Sequence, residues 1–305
     1  HEDAYTMAAQ AALRLIEAYD LDPQRVGFLG LGTESSKDNS AGAVIVRGML
    51  DRALVARGRA PLARDCEVPE FKHACLGGMY GLKAALRYVA TDGAARQAIV
   101  IASDVAEYAR GSSGEPTQGA GAVAMLVEAD PQLFQVELAH AGSASAYRGP
   151  DFRKPFARHF LGEAAGDRGR PHDFPVFSGR YSTFAYLDET VHAVDHLLAK
   201  LGVAAKPYYR SLRALFFHRP YAMMPVQGVA FLLVRALLGE FNAADADRER
   251  LDALCAAAGV PVPRENHAEA VADFALELVG VLPVLAEQAG MPVRLMKIST
   301  ISRRG

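Results

Sequence analysis

Apolar residues recur at helical spacing through Met7, Ala11, Leu15 and Ala18, and the period predicts an amphipathic helix over Glu2–Tyr19. Asp22-Pro23 ends it. Arg25–Gly32, RVGFLGLG, is an apolar run that suits a buried strand. The polar, turn-rich Thr33–Ser40 follows, then a helix over Ala41–Val55 and a strand over Arg64–Val68. Met79, Leu82, Leu86 and Val89 share one side of a helix predicted over Cys75–Val89. Ala98–Ser103 (AIVIAS) reads as a second buried strand, Glu107–Gln118 as a Gly- and Ser-rich loop, and Gly119–Val127 and Phe134–Ala141 as further strands. Strands that alternate with helices imply an α/β protein with a largely parallel, buried sheet.

Beyond that point the pattern changes. Ala144–Ser178 is aromatic, basic and proline-punctuated, which suits an ordered insertion or loop. Helical patterns resume at Thr183–Leu201 and Lys206–Leu212, a brief strand at Ala214–Phe217 runs into His218, and helices are expected at 222–238, 243–257 and 265–289. No linker divides the chain, so 1–305 is expected to form a single domain, with halves 1–128 and 129–305.

Composition narrows the class. Half of the 305 residues are apolar, ample for a core, and 33 bases against 35 acids leave a net charge of −2. A nucleic-acid binder would carry a basic excess. No apolar run reaches a membrane span and the start shows no signal-peptide pattern. The three cysteines (Cys66, Cys75 and Cys255) form no CxxC, which excludes a disulfide scaffold and points to a reducing, cytoplasmic setting.

Three residues at predicted strand or helix ends are candidates for chemistry. Cys75 in KHACLGG follows a strand and opens a helix, whose N-terminus favours a thiolate, and Gly77 and Gly78 would leave room for an acyl group. A lone cysteine at such a place is more often an inert buried thiol. Glu34 in GTESS follows a strand, where α/β sheets place ligands and where a carboxylate can act as acid or base. A lone loop carboxylate is more often a solvated cap. His218 ends ALFFH and can donate to a carbonyl or carry a proton, though a satisfied core histidine is commoner. The glycine run GFLGLG lacks dinucleotide spacing, and GEPTQGAG lacks the lysine of a phosphate loop. His192 and His196 have zinc-binding spacing without a third ligand, so no metal site is expected. A Glu, a Cys and a His in that order suit carbon–carbon bond formation through a cysteine thioester.

The strings GTESS, KHACLGG, IASDVAEYARGSSGEPTQGAGAVAML, DFRKP and FFHRP occur in order between Gly32 and Pro220. In this the chain resembles the 3-hydroxy-3-methylglutaryl-CoA synthase family of the thiolase superfamily. The resemblance implies a thiolase-like α/β fold with α-β-α-β-α layers. It implies that Glu34 is the general acid/base, Cys75 the acylated nucleophile and His218 the residue that holds the acetoacetyl thioester. Tyr108 and Thr117 match the acyl pocket and its Gly-rich loop, and Asp151 in DFRKP matches a supporting aspartate. The implied substrates are acetyl-CoA and acetoacetyl-CoA, with no metal or redox cofactor, and the implied assembly is a homodimer.

Compared with that family, the chain begins at the helix after the first strand and ends at STISRRG, before a GN-containing stretch and a GSGS-type stretch that hold an active-site Asn and part of the acyl pocket. The second half of the fold is therefore expected to be incomplete. Three other readings stay open. One is a synthase acting on acyl-carrier-protein-bound chains in polyketide β-branching, for which Arg148, Arg153, Lys154, Arg158, Arg168 and Arg170 offer a basic landing patch. CoA phosphates would want similar charge, and GEPTQGAG looks more like the bacterial CoA enzyme. Another is a ketoacyl synthase, which would not need Glu34. The third is a non-catalytic thiolase-fold partner subunit.

Overall fold

The computed structural model describes residues 2–148 apart from Lys37, Ala109 and Ser113, residues 180–238 apart from Ala222, and a few isolated positions from 249 to 256. The chain divides between Leu138 and Ala139 into two compact units, described separately below.

In the first unit, α1 (Ala4–Ala18) starts at a capping box. Asp3 Oδ1 accepts from Thr6 N at 2.8 Å and Thr6 Oγ1 accepts from Asp3 N at 2.9 Å, which satisfies two helix-end donors. Its buried stripe is Ala4, Ala8, Ala12, Leu13 and Ile16, rotated one position from the Met7–Ala11–Leu15 stripe read from sequence. Small alanines let the helix sit close on the sheet, so close approach decides the face here rather than side-chain bulk. The buried Ser103 Oγ donates to Ala4 O at 2.6 Å and fixes that approach.

The remaining elements are β1 (Val26–Gly32), α2 (Gly42–Ala56), β2 (Glu70–Phe71), α3 (Gly77–Ala90), β3 (Gln97–Ala106) and β4 (Gly119–Val127). The sheet order is β2-β1-β3-β4. β1 runs parallel to β2 and β3, and β4 runs antiparallel to β3. The sheet is thus mixed rather than largely parallel, because the 107–118 loop returns the chain directly to its neighbour. The expected strand at Arg64–Val68 is shifted. Glu67 pairs with β1, but Pro69 has no N–H to give the ladder, and the strand registers only at Glu70 and Phe71. Phe134–Ala141 forms no strand; its Leu133–Val136 neighbourhood is exposed and Leu138–His140 makes a 3-10 turn.

Side chains alternate across the sheet. Leu29, Leu31, Ile99 and Ile101 meet α1 and α2 on one face, with Val46 and Leu50. Phe28, Ala98 and Val100 meet α3 through Ala85 and Val89 on the other. The result is an α-β-α sandwich with two separate apolar layers. At the carboxyl end of β1 the packing becomes backbone on backbone. A Cβ on Gly32 would lie 2.2 Å from Gly78 N, and one on Gly77 would lie 2.5 Å from Phe71 O. The glycines at 77 and 78 therefore serve helix–strand packing, not the open acyl surface that sequence suggested; Gly77 is buried.

The second unit contributes α4 (Arg180–Leu201), α5 (Ala205–Ser211) and α6 (Met224–Leu238). Val191 and Leu198 of α4 and Ala230 and Phe231 of α6 are buried. Ala214–Phe217 is not a strand: it pairs with none among the described residues, and Leu215 and Phe216 are exposed. The helices expected over 243–257 and 265–289, and nearly all of the 144–178 insertion, lie outside the described residues. Among the described residues no helix is long and apolar enough to cross a membrane.

Gly32→Ala or Gly77→Ala is expected to cost about 1–3 kcal/mol or more, since backbone must shift. Gly48→Ala, in α2 with nothing within 4 Å, should instead stabilise by about 0.5 kcal/mol. Urea denaturation of the three variants checks the contrast.

Candidate active site

Glu34 stands just past the carboxyl end of β1, half-buried, on a loop whose backbone would otherwise be short of partners. Asp104 of β3 supplies them. One oxygen, Oδ1, accepts from Thr33 Oγ1 (3.0 Å), Glu34 N (2.8 Å), Ser35 N (2.8 Å) and Ser35 Oγ (2.7 Å). Ser35 Oγ in turn accepts from Val105 N at 2.9 Å, and Thr33 N donates to Phe71 O at 3.3 Å. A carboxylate bonded to this many donors fixes the course of the loop, and so the direction of Glu34.

Cys75 faces Glu34. It lies two residues ahead of α3, not within it, and is exposed. Leu76 N donates to His73 O and Gly77 N to Ala74 O, closing a tight turn whose central Ala74 has φ of +42°. A non-glycine residue in that region is a strained backbone, of a kind found where a side chain must be presented. The His73 ring stands edge-on to Tyr80, 4.8 Å between centroids, and braces the turn against α3. The sulfur is 3.7 Å from Glu34 Oε2.

Tyr108 joins this pair. Burial pushes its phenol above the usual range, the nearby Glu34 and Cys75 push it further, and a side-chain hydrogen bond with Thr117 opposes them. It therefore stays a protonated O–H at working pH. Thr117 Oγ1 donates to Gly114 O at 2.7 Å, and Gln118 Nε2 donates to Tyr108 O at 3.1 Å, so the Gly-rich loop holds both residues.

The structure thus brings together Glu34, Cys75, Tyr108 and Thr117 in the first unit. His218 belongs to the second, where its carbonyl accepts from Tyr186 Oη at 3.0 Å. Burial pushes the Tyr186 phenol up to about 12, so it remains a donor. Asp151 lies outside the described residues. The His192 and His196 pair is split between partners: His196 Nδ1 is 3.1 Å from both N and O of Ser143, and His192 Nε2 is 3.5 Å from Asp188, which also pairs with Arg148. Among the described residues no three His, Cys, Asp or Glu side chains converge as metal ligands. A groove of about 650 Å³ in the second unit, lined by Asp195, Lys206 and Tyr209 among others, includes none of the candidate residues.

Sequence reasoning missed Asp104. The available signal was an acid interrupting the apolar strand IASDVA, at a strand end level with GTESS.

Residues 1–132 match the family model described as hydroxymethylglutaryl-coenzyme A synthase N terminal. Over those residues the chain carries the N-terminal region of the hydroxymethylglutaryl-CoA synthase family. It is 32% identical over 225 residues to the hydroxymethylglutaryl-CoA synthase of Enterococcus faecalis, covering 73% of this chain and 50% of that protein. It is likewise 32% identical over 226 residues to the synthase of Haloferax volcanii, covering 73% and 45%. The chain spans about half the length of these curated relatives. Among solved structures it is similar to MvaS in complex with 3-hydroxy-3-methylglutaryl coenzyme A, with 31% identity, a TM-score of 0.64 and coverage of 88% of this chain and 57% of that one. It is also similar to the curacin-pathway HMG synthase in complex with holo donor-ACP, with 28% identity, a TM-score of 0.62 and coverage of 82% and 54%. The fold is accordingly the thiolase-like α/β fold of the HMG synthases.

Asp104→Ala would leave two N–H and two O–H donors of the 33–35 loop without their acceptor. Only Thr33 of the three residues is buried, so the others can turn to water; at about 1–3 kcal/mol for a donor left buried, a loss of about 3 kcal/mol is expected in urea denaturation. Asp104→Asn, which keeps an acceptor oxygen, should lose less than half of that.

The two described cysteines should also separate chemically. Burial pushes the Cys66 thiol up from 9.0 to about 11, with the Arg47 and Arg96 charges opposing. A raised folded-state value means stability that is complete below pH 9 and is lost as pH rises through 11. A fall of roughly 2 kcal/mol over that window is expected, and a smaller one in Cys66→Ala. At neutral pH iodoacetamide should label Cys75 and spare Cys66, read by peptide mass mapping.

Proposed function

We propose that the protein is a hydroxymethylglutaryl-CoA synthase-type acyltransferase that makes a carbon–carbon bond. The observation that carries this reading is the 3.7 Å approach of Cys75 Sγ to the Glu34 carboxylate at the carboxyl end of the sheet. In the reaction, the thiolate of Cys75 attacks an acetyl thioester and expels the carrier thiol. Backbone N–H groups near Cys75 hold the oxyanion. Glu34 removes a proton from the acetyl methyl, and the resulting enolate attacks the ketone of an acetoacetyl thioester held near His218. Protonated Glu34 then returns its proton to the tertiary alkoxide. Water hydrolyses the Cys75 thioester and releases a 3-hydroxy-3-methylglutaryl thioester.

Tyr108, protonated and beside Glu34 and Cys75, lines the acyl end of this site. Asp151, through its match to the family aspartate in DFRKP, is taken to support the site. The thioesters are the only small molecules the sequence needs, so no metal or redox cofactor enters the scheme. We take the working unit to be one thiolase-like domain, 1–305, in the cytoplasm. We take it to pair as a homodimer, a reading supported by edge strand β4, where Val123 is 61% exposed.

A second reading has donor or acceptor on an acyl carrier protein, favoured by the likeness to a synthase solved with donor-ACP. Arg148, the described member of the basic 148–170 stretch, does not support it. Its guanidinium is bound to Glu189, at 3.0 and 2.8 Å, and to Asp188, and so is engaged within its own unit. The same engagement would count equally against CoA phosphates, so it is the likeness of GEPTQGAG to the bacterial CoA enzyme that makes us favour CoA thioesters.

Intact-protein mass spectrometry tests the proposal. The full-length protein should gain an acetyl group from acetyl-CoA faster than from an acetyl carrier protein, and Cys75→Ser should gain none. Faster transfer from the carrier protein would select the second reading. No adduct with either donor would make the protein a non-catalytic thiolase-fold subunit.

A further inference from the structure

The loop that carries Glu34 is held at both ends by carboxylates, and they come from different strands. Asp104 of β3 grips residues 33–35, as described above. The far end is gripped from β2 by Glu70, whose side chain is only 1% exposed. Its two oxygens have separate tasks. Oε2 accepts from Ala43 N at 3.0 Å, in the first turn of α2. That helix has no side-chain cap of its own, since its cap residue is Ala41. Oε1 accepts from Ser36 Oγ at 3.3 Å and lies 3.6 Å from Lys72 Nζ. Lys72 reaches onward to the carbonyl and the Oδ1 of Asp38, the latter at 3.0 Å, and Asp38 Oδ1 accepts from Ala41 N at 3.0 Å.

A buried carboxylate is costly unless its lone pairs are used and its charge is paired. Here the partners are the Glu34 loop, the helix after it and one lysine. The gripping residues sit in the segment Glu70–Cys75, so the stretch that ends in Cys75 also holds the loop that ends β1. Their register is fixed by the β1 pairing, Leu31 with Glu70 and Gly32 with Phe71.

We propose that Glu70 is a positioning residue: its carboxylate, braced by Lys72, ties the 34–38 loop to the segment carrying Cys75 and so sets the distance from Glu34 to the sulfur. The catalytic part of this inference rests on the proposed synthase reading; the mechanical part does not. Glu70 touches neither substrate nor sulfur. Its contribution is to the step in which Glu34 moves a proton, while acetylation of Cys75, which needs no proton transfer by Glu34, is independent of it.

Two full-length variants test this. Glu70→Gln removes the charge and keeps the shape. Ser36→Ala removes the loop contact alone and leaves the helix contact and the lysine pair. Both should acetylate Cys75, and show a KM for acetyl-CoA, within about twofold of the unsubstituted protein, while kcat for condensation falls about ten- to a hundredfold in Glu70→Gln and several-fold in Ser36→Ala. Hydrogen exchange of a peptide spanning 33–38 should quicken in both, whatever the protein catalyses. The proposal is overturned if loop exchange is unchanged, if Ser36→Ala condenses at the unsubstituted rate, or if acetylation and condensation decline together in step with a lowered Tm. Failure of the unsubstituted protein to take up acetyl would overturn the synthase reading instead, and the exchange result would still decide whether Glu70 holds the loop.

Discussion

Between the last residue of β1 and the first turn of α3 there is room for hydrogen and nothing larger. Gly32 meets the backbone of Gly77 and Gly78, and Gly77 meets the carbonyl of Phe71. This contact draws the helix onto the strand ends, and with it the turn that bears Cys75. The same carbonyl of Phe71 accepts from Thr33 N, so three segments converge on one short stretch of backbone. Side chains at any of these places would lift the helix, and the sulfur would leave the reach of the carboxylate. The reactive geometry is in this sense a packing result: it follows from how closely two main chains can approach.

Electrostatics completes what packing begins. The loop after β1 has polar groups that neither strand nor helix satisfies, and the protein answers with acids. Asp104 gathers four donors on one oxygen, and Glu70 divides its oxygens between loop and helix. Each acid is anchored in a strand of the sheet. The Glu34 carboxylate, which faces the sulfur, therefore hangs between two others that are bonded to the loop around it. Tyr108 adds a protonated hydroxyl to the same place.

Much of this was legible in the sequence, for identifiable reasons. β1, β3 and β4 are apolar runs bounded by turns, and α2 and α3 have a clear period, so their existence and rough limits could be read directly. Glu34 could be singled out because it follows the end of an apolar strand, and Cys75 because it stands at the start of a helical pattern. What could not be read depended on tertiary neighbours. The buried face of α1 follows its alanines because it packs closely on the sheet, which no moment along the helix reveals. The 64–68 segment looked like a strand, yet Pro69 moved the pairing to Glu70 and Phe71, a matter of which residue can donate. Phe134–Ala141 and Ala214–Phe217 have strand composition without a described partner strand, and composition alone does not make a ladder. Asp104 and Glu70 acquire their roles only when β3 and β2 lie beside a loop distant from them in sequence.

Ala74 carries a consequence for how this sequence can drift. Its φ of +42° is one that glycine adopts freely, that Asn and Asp tolerate, and that β-branched residues resist. The position just before the sulfur is thus narrow in chemistry, although it makes no contact with a reacting atom. Glycine there would relieve the strain but loosen the turn, and a valine would force the turn open. Alanine is the compromise, large enough to stiffen the chain and small enough to be bent. Variation along this stretch should therefore be filtered by backbone shape before it is filtered by reactivity.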